Sequence, residues 1–320
     1  MFLLAEEVKG AKSIGISGHI RPDGDCVGSC MALYQYLKKY MPADTEVSVY
    51  LEKPADIFRE IKGVDEICTQ VPADKVYDVF FAVDCAVDRL GDAQGLFERA
   101  KKTVNIDHHI SNSGCGMVNY IDATVGSASE LVFDLLEKEY LDVEIAKAIY
   151  IGMIHDTGVF QYSNTRPKTL RVAAELLEYG FDFSTLIEKT FYEKTYLQNQ
   201  IMGRALLESI QFLDGRCIVS MVDKKLMDFY RVTPKDLDGI INQLRNTKNV
   251  ECAVFMYQVG VLEYKVSMRS TDKVDVAKIA AFFGGGGHKK AAGCTMSGTF
   301  HDVINNISLH IEKQLNGEKA

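Results

Sequence analysis

Three short apolar runs in the first half of the chain each stop on ionisable residues. Ser13–Ser17 leads into Gly18-His19, Val79–Val83 into Asp84, and residues 103–106 into Asp107-His108-His109. Apolar runs this short, bounded by turn residues, suit buried strands. A further strand pattern spans residues 46–51, and helical spacing recurs over 28–40, 128–139, 143–154 and 167–178. Strands that alternate with helices build a mainly parallel sheet with helices on both faces. In such sheets the ligand site lies beyond the carboxyl ends of the strands. The pattern therefore predicts an α/β domain in which groups distant in sequence meet at one sheet edge. Asp156, just past the apolar helix and ahead of Thr157-Gly158, is placed to join them.

A chain of 320 residues is long for one core and comfortable for two domains. The first domain is expected over 1–181. Residues 182–209 are polar and helix-favouring with no strand pattern, and are read as a connector. Residues 210–320 form a smaller mixed α+β domain. There, residues 210–213 and Cys217–Val222 flank Asp214-Gly215, a hairpin signal. Thr233 and Pro234 open a helix to about Arg245. A second hairpin is expected around Val259-Gly260, then a helix over 274–283, the run Gly284–Gly287 with His288, and a last helix near 299–315. No tandem repeat or low-complexity tail is present.

The segment His19-Ile20-Arg21-Pro22-Asp23-Gly24-Asp25 carries one imidazole and two carboxylates within seven residues. Pro22 and Gly24 argue for a turn, in which the three groups can converge. Oxygen ligands with imidazole suit manganese, magnesium or iron(II), and the absence of thiolates weighs against a structural zinc. An Asp-Gly surface turn with a stray histidine is the plain alternative. Asp84 alone could be an ordinary polar strand terminus; it gains weight by sharing a sheet with the His19 strand. In Asp107-His108-His109, neighbouring side chains at a strand end point in opposite directions, so one histidine can bind metal while the other faces substrate. Asp107 is read either as an acceptor that orients an imidazole or as a helix N-cap. His155 is read as a packing neighbour, and Tyr162, Ser163 and Asn164 either as contacts for a phosphate or sugar or as ordinary loop residues.

Together these four pieces, in this order, resemble the DHH phosphoesterase superfamily. The run Gly284-Gly285-Gly286-Gly287-His288, with Arg269-Ser270 ahead of it, resembles the substrate-binding domain found with one branch of that family. Length and two-domain layout are most similar to bacterial oligoribonucleases (nano-RNases) that also dephosphorylate 3′-phosphoadenosine 5′-phosphate (pAp). The resemblance implies two manganese ions, with magnesium or cobalt as substitutes. His19, Asp23 and Asp84 would hold the first, and Asp25, Asp84, His108 and Asp156 the second, with Asp84 bridging. It implies catalytic roles for His109, Asp84 and Asp107, and substrate contacts from Arg269, Ser270, Gly285, Gly286, Gly287 and His288. Glycine lets main-chain N–H groups approach an anion, and a helix start expected after the run favours negative charge. A flexible hinge is the alternative reading of the run. The role of Lys289-Lys290 is left open.

The expected activity is hydrolysis of short oligoribonucleotides to monophosphates and removal of the 3′-phosphate of pAp. The alternative is a stand-alone cyclic-dinucleotide or linear dinucleotide phosphodiesterase. A cleft between the domains is expected to admit few nucleotides. A net charge of −8 argues against long duplex nucleic acid as a partner. No apolar run approaches the roughly 20 residues of a membrane helix. MFLLAEEVKG turns acidic after its apolar start, unlike a signal peptide, so a cytoplasmic protein with no membrane partner is expected. A homodimer is left open. Eight cysteines without a C-x-x-C pair are read as small core residues. A regulatory protein that keeps the fold without catalysis is the competing class.

Overall fold

The computed structural model describes residues 4–317; residues 1–3, the apolar start of the N-terminal segment weighed above, lie outside them. The chain divides into two compact units, with the boundary between Glu193 and Lys194. The first contains α1 (Leu4–Glu7), β1 (Ser13–Ser17), α2 (Gly24–Tyr40), β2 (Glu46–Tyr50), β3 (Val79–Val83), α3 (Gln94–Arg99), β4 (Lys102–Asp107), β5 (Val118–Ile121), α4 (Ala128–Leu135), α5 (Val143–Asp156), α6 (Pro167–Leu177) and α7 (Phe183–Ile187). The segment read as a connector divides between the units: α7 and the π-helical turn Glu188–Tyr192 belong to the first, and α8 (Tyr196–Leu207) to the second.

The first sheet has the order β2-β1-β3-β4-β5 and every pairing in it is parallel. Alternation along β3 shows how both faces are covered. Val79, Phe81 and Val83 join a core with α2, α4 and α5, whereas Phe80 and Ala82 join Leu96 and Phe97 of α3 on the other face. Register fixes the site. Ser17 pairs with Ala82, so His19, two residues on, is level with Asp84. Val83 pairs with Ile106, which brings Asp84 beside Asp107-His108-His109.

Several boundaries differ from the sequence reading. Helix α2 begins at Gly24 rather than residue 28, because the Asp23 carboxylate caps it, accepting from the N–H of Asp25 at 3.2 Å and of Cys26 at 3.1 Å. Asp25 is thus in a first helical turn, not a loop. Asp156 is the last residue of α5. Strand β5 gave no recognisable pattern: its residues Val118–Ile121 are only partly buried. Cys68 is exposed and Cys115 half-buried, so these two are not core residues; the other six are.

The second unit continues with β6 (Ile210–Phe212), β7 (Cys217–Val222), α9 (Lys224–Tyr230), α10 (Ile240–Arg245), β8 (Cys252–Gly260), β9 (Glu263–Ser270), α11 (Val276–Phe282), β10 (Gly286–His288), β11 (Ala291–Ser297) and α12 (Phe300–Leu315). Its sheet has the order β10-β11-β9-β8-β7-β6 and is mixed, β7–β8 being parallel and the rest antiparallel. The helix expected from Pro234 to Arg245 is broken: a 3-10 turn, Pro234–Leu237, is followed by Gly239 at φ 85° before α10 starts. The second hairpin turns at Val261-Leu262, two residues later than expected, with Leu262 at φ 52°. The glycine run does not start a helix. It ends one: Gly284 and Gly285 donate to carbonyls of Ala281 and Ala280, and Gly286–His288 continues as a strand.

Candidate metal centre

His19, Asp23, Asp25, Asp84, His108 and Asp156 come from the ends of β1, β3 and β4, the start of α2 and the end of α5. The structure brings them together. His19 Nε2 is 3.5 Å from Asp23 Oδ1 and 3.5 Å from Asp84 Oδ2. His108 Nε2 is 3.4 Å from Asp84 Oδ1, 3.7 Å from Asp25 Oδ2 and 3.7 Å from Asp156 Oδ2. These separations are long for hydrogen bonds. They are close to the roughly 3.0–3.4 Å edges of a coordination shell whose ligands stand about 2.1 Å from a cation.

Asp84 lies at the centre, with one oxygen toward His19 and the other toward His108. It is 2% exposed, yet its Oδ1 has no hydrogen-bond partner. A buried carboxylate oxygen without a donor is costly unless a cation serves it. Its backbone is left-handed, φ 62°, a strained conformation of the kind that persists where a site needs it. Burial, and then the charges of Asp84 and Asp156, hold the Asp25 carboxyl well above the usual carboxylate range. Asp156 is raised to about 6, first by burial. His19 is pushed the other way: burial opposes its charge, but Asp23 and Asp84 outweigh it and raise it to about 11. Buried carboxylates crowded this closely are a place short of positive charge. The residues fit divalent cations.

The supports are as specific as the ligands. Asp25 Oδ2 and Oδ1 accept from Ala128 N at 2.6 Å and Ser129 N at 2.9 Å, so the carboxylate also serves the first N–H groups of α4. Helices α2 and α5 meet backbone to backbone. A Cβ on Gly28 would lie 2.5 Å from Ala148 O and 2.9 Å from Gly152 N. A Cβ on Gly152 would lie 1.9 Å from Ser129 Oγ and 2.9 Å from Asp25 Oδ1. Only glycine on both helices lets the start of α2, with Asp23 and Asp25, reach the end of α5, with Asp156. His155 packs edge-on against Phe58 and Phe191 and over Gly24, where a Cβ would meet its ring at 2.2 Å.

Asp107 is fully buried and is not a helix cap. Its Oδ1 accepts from the N–H groups of His108 at 2.7 Å and His109 at 3.1 Å, and from His109 Nδ1 at 2.7 Å. Its Oδ2 accepts from Asn112 Nδ2 at 2.6 Å. Burial tends to raise this carboxyl, but His109 and Asn112 prevail and hold it below the usual range. His109 Nδ1 is also 3.6 Å from Asp84 Oδ1.

Three residues escaped the sequence reading or were assigned otherwise. Asn105 Nδ2 donates to Ala82 O and Cys85 O on either side of Asp84, and its Oδ1 accepts from Asn112; a polar residue at a fully buried strand position was the available signal. Asn164, read as a phosphate or sugar contact, donates its amide to Asp156 O at 3.2 Å, Asp156 Oδ2 at 3.3 Å and Gly126 O at 2.9 Å. It reaches them because Gly158, Val159 and Phe160 are all left-handed, at φ 58°, 54° and 65°. Cys26, read as core, places its sulfur among the donor atoms of His19 and Asp84.

In the second unit, Arg269 and Ser270 end β9. Arg269 donates to Met268 O at 3.1 Å. Ser270 is buried, and its hydroxyl donates to Val274 O at 2.6 Å. Gly285 and Gly287 lie against β11, where a Cβ would meet Gly293 O at 2.2 Å and Ala291 O at 2.5 Å. Gly286 has open space around it, and His288 is exposed. Lys290 pairs with Asp272 at 2.9 Å. No helix among the described residues is long and apolar enough to cross a membrane.

A doubly covered parallel sheet with this cluster at its carboxyl edge defines a metal-dependent hydrolase of phosphate esters. The chain belongs to the DHH family of phosphoesterases: the DHH family N-terminal domain matches residues 13–153 and the DHHA1 domain residues 214–317. A bifunctional oligoribonuclease and PAP phosphatase, NrnA, of Thermus thermophilus is 30% identical over 93% of this chain and 89% of its own length. The protein of the same name from Bacillus subtilis is 26% identical over 87% of each chain. The crystal structure of an exopolyphosphatase-related protein from Bacteroides fragilis superposes with a TM-score of 0.87 at 25% identity, covering 98% of this chain and 95% of that one.

Proposed function

We propose that this protein is a manganese-dependent phosphoesterase that hydrolyses short oligoribonucleotides to nucleoside monophosphates and removes the 3′-phosphate of pAp. The observation that carries the reading is Asp84, a buried carboxylate set between His19 and His108 with one oxygen unserved. The substrate class is supported by the names of the relatives from T. thermophilus and B. subtilis.

His19, Asp23 and Asp84 would hold one cation, and Asp25, Asp84, His108 and Asp156 the other. Bound together, two such ions supply a water of lowered pKa and neutralise charge on the attacking and leaving oxygens. Manganese is favoured because the donors are mostly carboxylate oxygen with some imidazole. Asp107 fixes the Nδ1 face of His109, so Nε2 is the face left for the scissile phosphate. In the second unit, Arg269 with its planar fork, Ser270 through the backbone it orders, the Gly285–Gly287 backbone and His288 bind the terminal nucleotide. The protein acts in the cytoplasm.

The test compares initial rates on pAp, pApA, cyclic di-AMP, pyrophosphate and a five-nucleotide RNA with added Mn²⁺. Preference for pAp and the short RNA is expected; preference for pyrophosphate would overturn the reading. Preference for cyclic di-AMP or pApA would mark a dinucleotide phosphodiesterase.

A further inference from the structure

We infer that Cys26 turns the first metal position into a binding site for thiophilic divalent cations, zinc or cadmium, with His19, Cys26 and Asp84 as the donor set. This rests on the metal centre proposed above and adds a ligand to it.

An imidazole nitrogen of His19, the Cys26 sulfur and a carboxylate oxygen of Asp84 all lie within 4.8 Å of one another. All three residues are buried: 4%, 0% and 2% exposed. Around a tetrahedral cation with bonds of about 2.0–2.3 Å, nitrogen and sulfur stand about 3.6 Å apart, so from a separation of at most 4.8 Å the set closes with a shift of no more than about 1.2 Å. The room for it is built. Cys26 sits in the first turn of α2, its N–H held by Asp23 Oδ1 at 3.1 Å. Its sulfur lies over Gly18, where a Cβ would come within 2.3 Å of it. Any larger residue before His19 would exclude the thiol. Asp84 reaches the same space with Oδ2, which stands 3.5 Å from His19 Nε2.

Donor chemistry then separates the cations. Mn²⁺ is served by His19 with the oxygens of Asp23 and Asp84 and leaves the thiol protonated. Zn²⁺ or Cd²⁺ gains more from thiolate sulfur. The exchange is Cys26–SH plus M²⁺ giving Cys26–S–M⁺ and a proton released to solvent; no electrons move. A thiophilic cation would occupy the position in place of Mn²⁺ with a different donor set.

The experiment titrates the intact, chelator-stripped protein with one equivalent of Cd²⁺ and records the ultraviolet sulfur-to-cadmium charge-transfer band. Parallel Mn²⁺ titrations are read by electron paramagnetic resonance of free Mn²⁺. The wild type and Cys30→Ala are expected to show the band. Cys26→Ala and Cys26→Ser are expected to lose it, with Cd²⁺ affinity down a hundredfold or more and Mn²⁺ affinity within threefold. A band that survives Cys26→Ala, or is missing from a wild type that binds Mn²⁺, overturns the inference alone. A wild type that binds neither cation overturns the metal centre with it.

Discussion

The close crossing of α2 and α5 makes a severe but local test of the site, because one methyl group should move metal ligands without dissolving the core. In Gly28→Ala the new Cβ would stand 2.5 Å from Ala148 O, whereas ordinary contact begins near 3.4 Å. Backbone cannot swing aside as a side chain does, so the helices must part by about 0.9 Å. Overpacking of this kind costs about 1–3 kcal/mol. Alanine in a helix interior returns about 1 kcal/mol relative to glycine, which leaves a net loss of roughly 0–2 kcal/mol, a fall in Tm of up to about 4–8 °C for a unit this size. Activity should suffer more. Asp23 and Asp25 start α2 and Asp156 ends α5, so the separation falls directly across the proposed cation positions. A misplacement of about 1 Å costs on the order of a hundredfold in rate. The assay pairs bis-p-nitrophenyl phosphate turnover at saturating Mn²⁺ with thermal denaturation of the same sample. We expect activity down about 30–100-fold with Tm lower by no more than about 8 °C. Full activity in Gly28→Ala would show that the helix crossing does not set ligand spacing; a collapsed fold would show that the core, not the site, is what the glycine protects.

Other outcomes follow from the same geometry. Asp84→Asn keeps the shape but removes the charge proposed to serve both cations, and should lower turnover about a thousandfold and reduce Mn²⁺ stoichiometry from the proposed two to one or none by calorimetry; two bound ions would contradict that role. Asn164→Leu removes the amide that holds Asp156 and should weaken Mn²⁺ binding about 10–100-fold, measured as free Mn²⁺ at fixed total; unchanged affinity would assign Asn164 to loop structure alone. Asp107→Asn should lower kcat about 10²–10⁴-fold with Mn²⁺ affinity nearly unchanged, whereas loss of metal would mean that Asp107 orders His108 rather than His109. Loading should depend on pH with a fixed sign. Against burial, His19 is raised from 6.5 to about 11 by Asp23 and Asp84, and His108 is raised by Asp84, Asp25 and Asp156. The stability these protons give the cation-free chain is complete below about pH 6.5 and is lost as pH climbs through the raised values. A cation must displace them, so Mn²⁺ affinity should weaken as pH falls, with about two protons released per chain near neutrality. Calorimetry in two buffers of unlike ionisation enthalpy counts them; a count of zero would refute the displacement.

The parallel sheet was legible because its strands are short, apolar and stopped by charged residues, a pattern few other architectures produce. β5 was not, since Val118–Ile121 is only partly buried and alternates weakly. Ligand candidates were readable from residue type and position after strands. Their supports were not, because Asn105, Asn112 and Asn164 act through hydrogen bonds that no periodicity encodes. The start of α2 was misplaced for a related reason: Asp23 looks like a turn residue, and its second use, as the cap that lets the helix begin at Gly24, shows only once its carboxylate is seen on the N–H groups of Asp25 and Cys26. In the glycine run, composition suggested an anion loop, yet Gly284 and Gly285 close a helix and Gly285 and Gly287 press on a neighbouring strand. Four glycines can answer several needs at once, and sequence does not separate them.

The donor atoms come from segments spread between His19 and Asp156, and the last of them closes a helix that must first dock along α2. On the ribosome, then, the centre cannot assemble until nearly the whole first unit has emerged and folded. Cations arrive as a seal on a finished scaffold rather than as a nucleus for it. Chelation during refolding should accordingly leave the folding rate alone and speed only the unfolding of the completed protein.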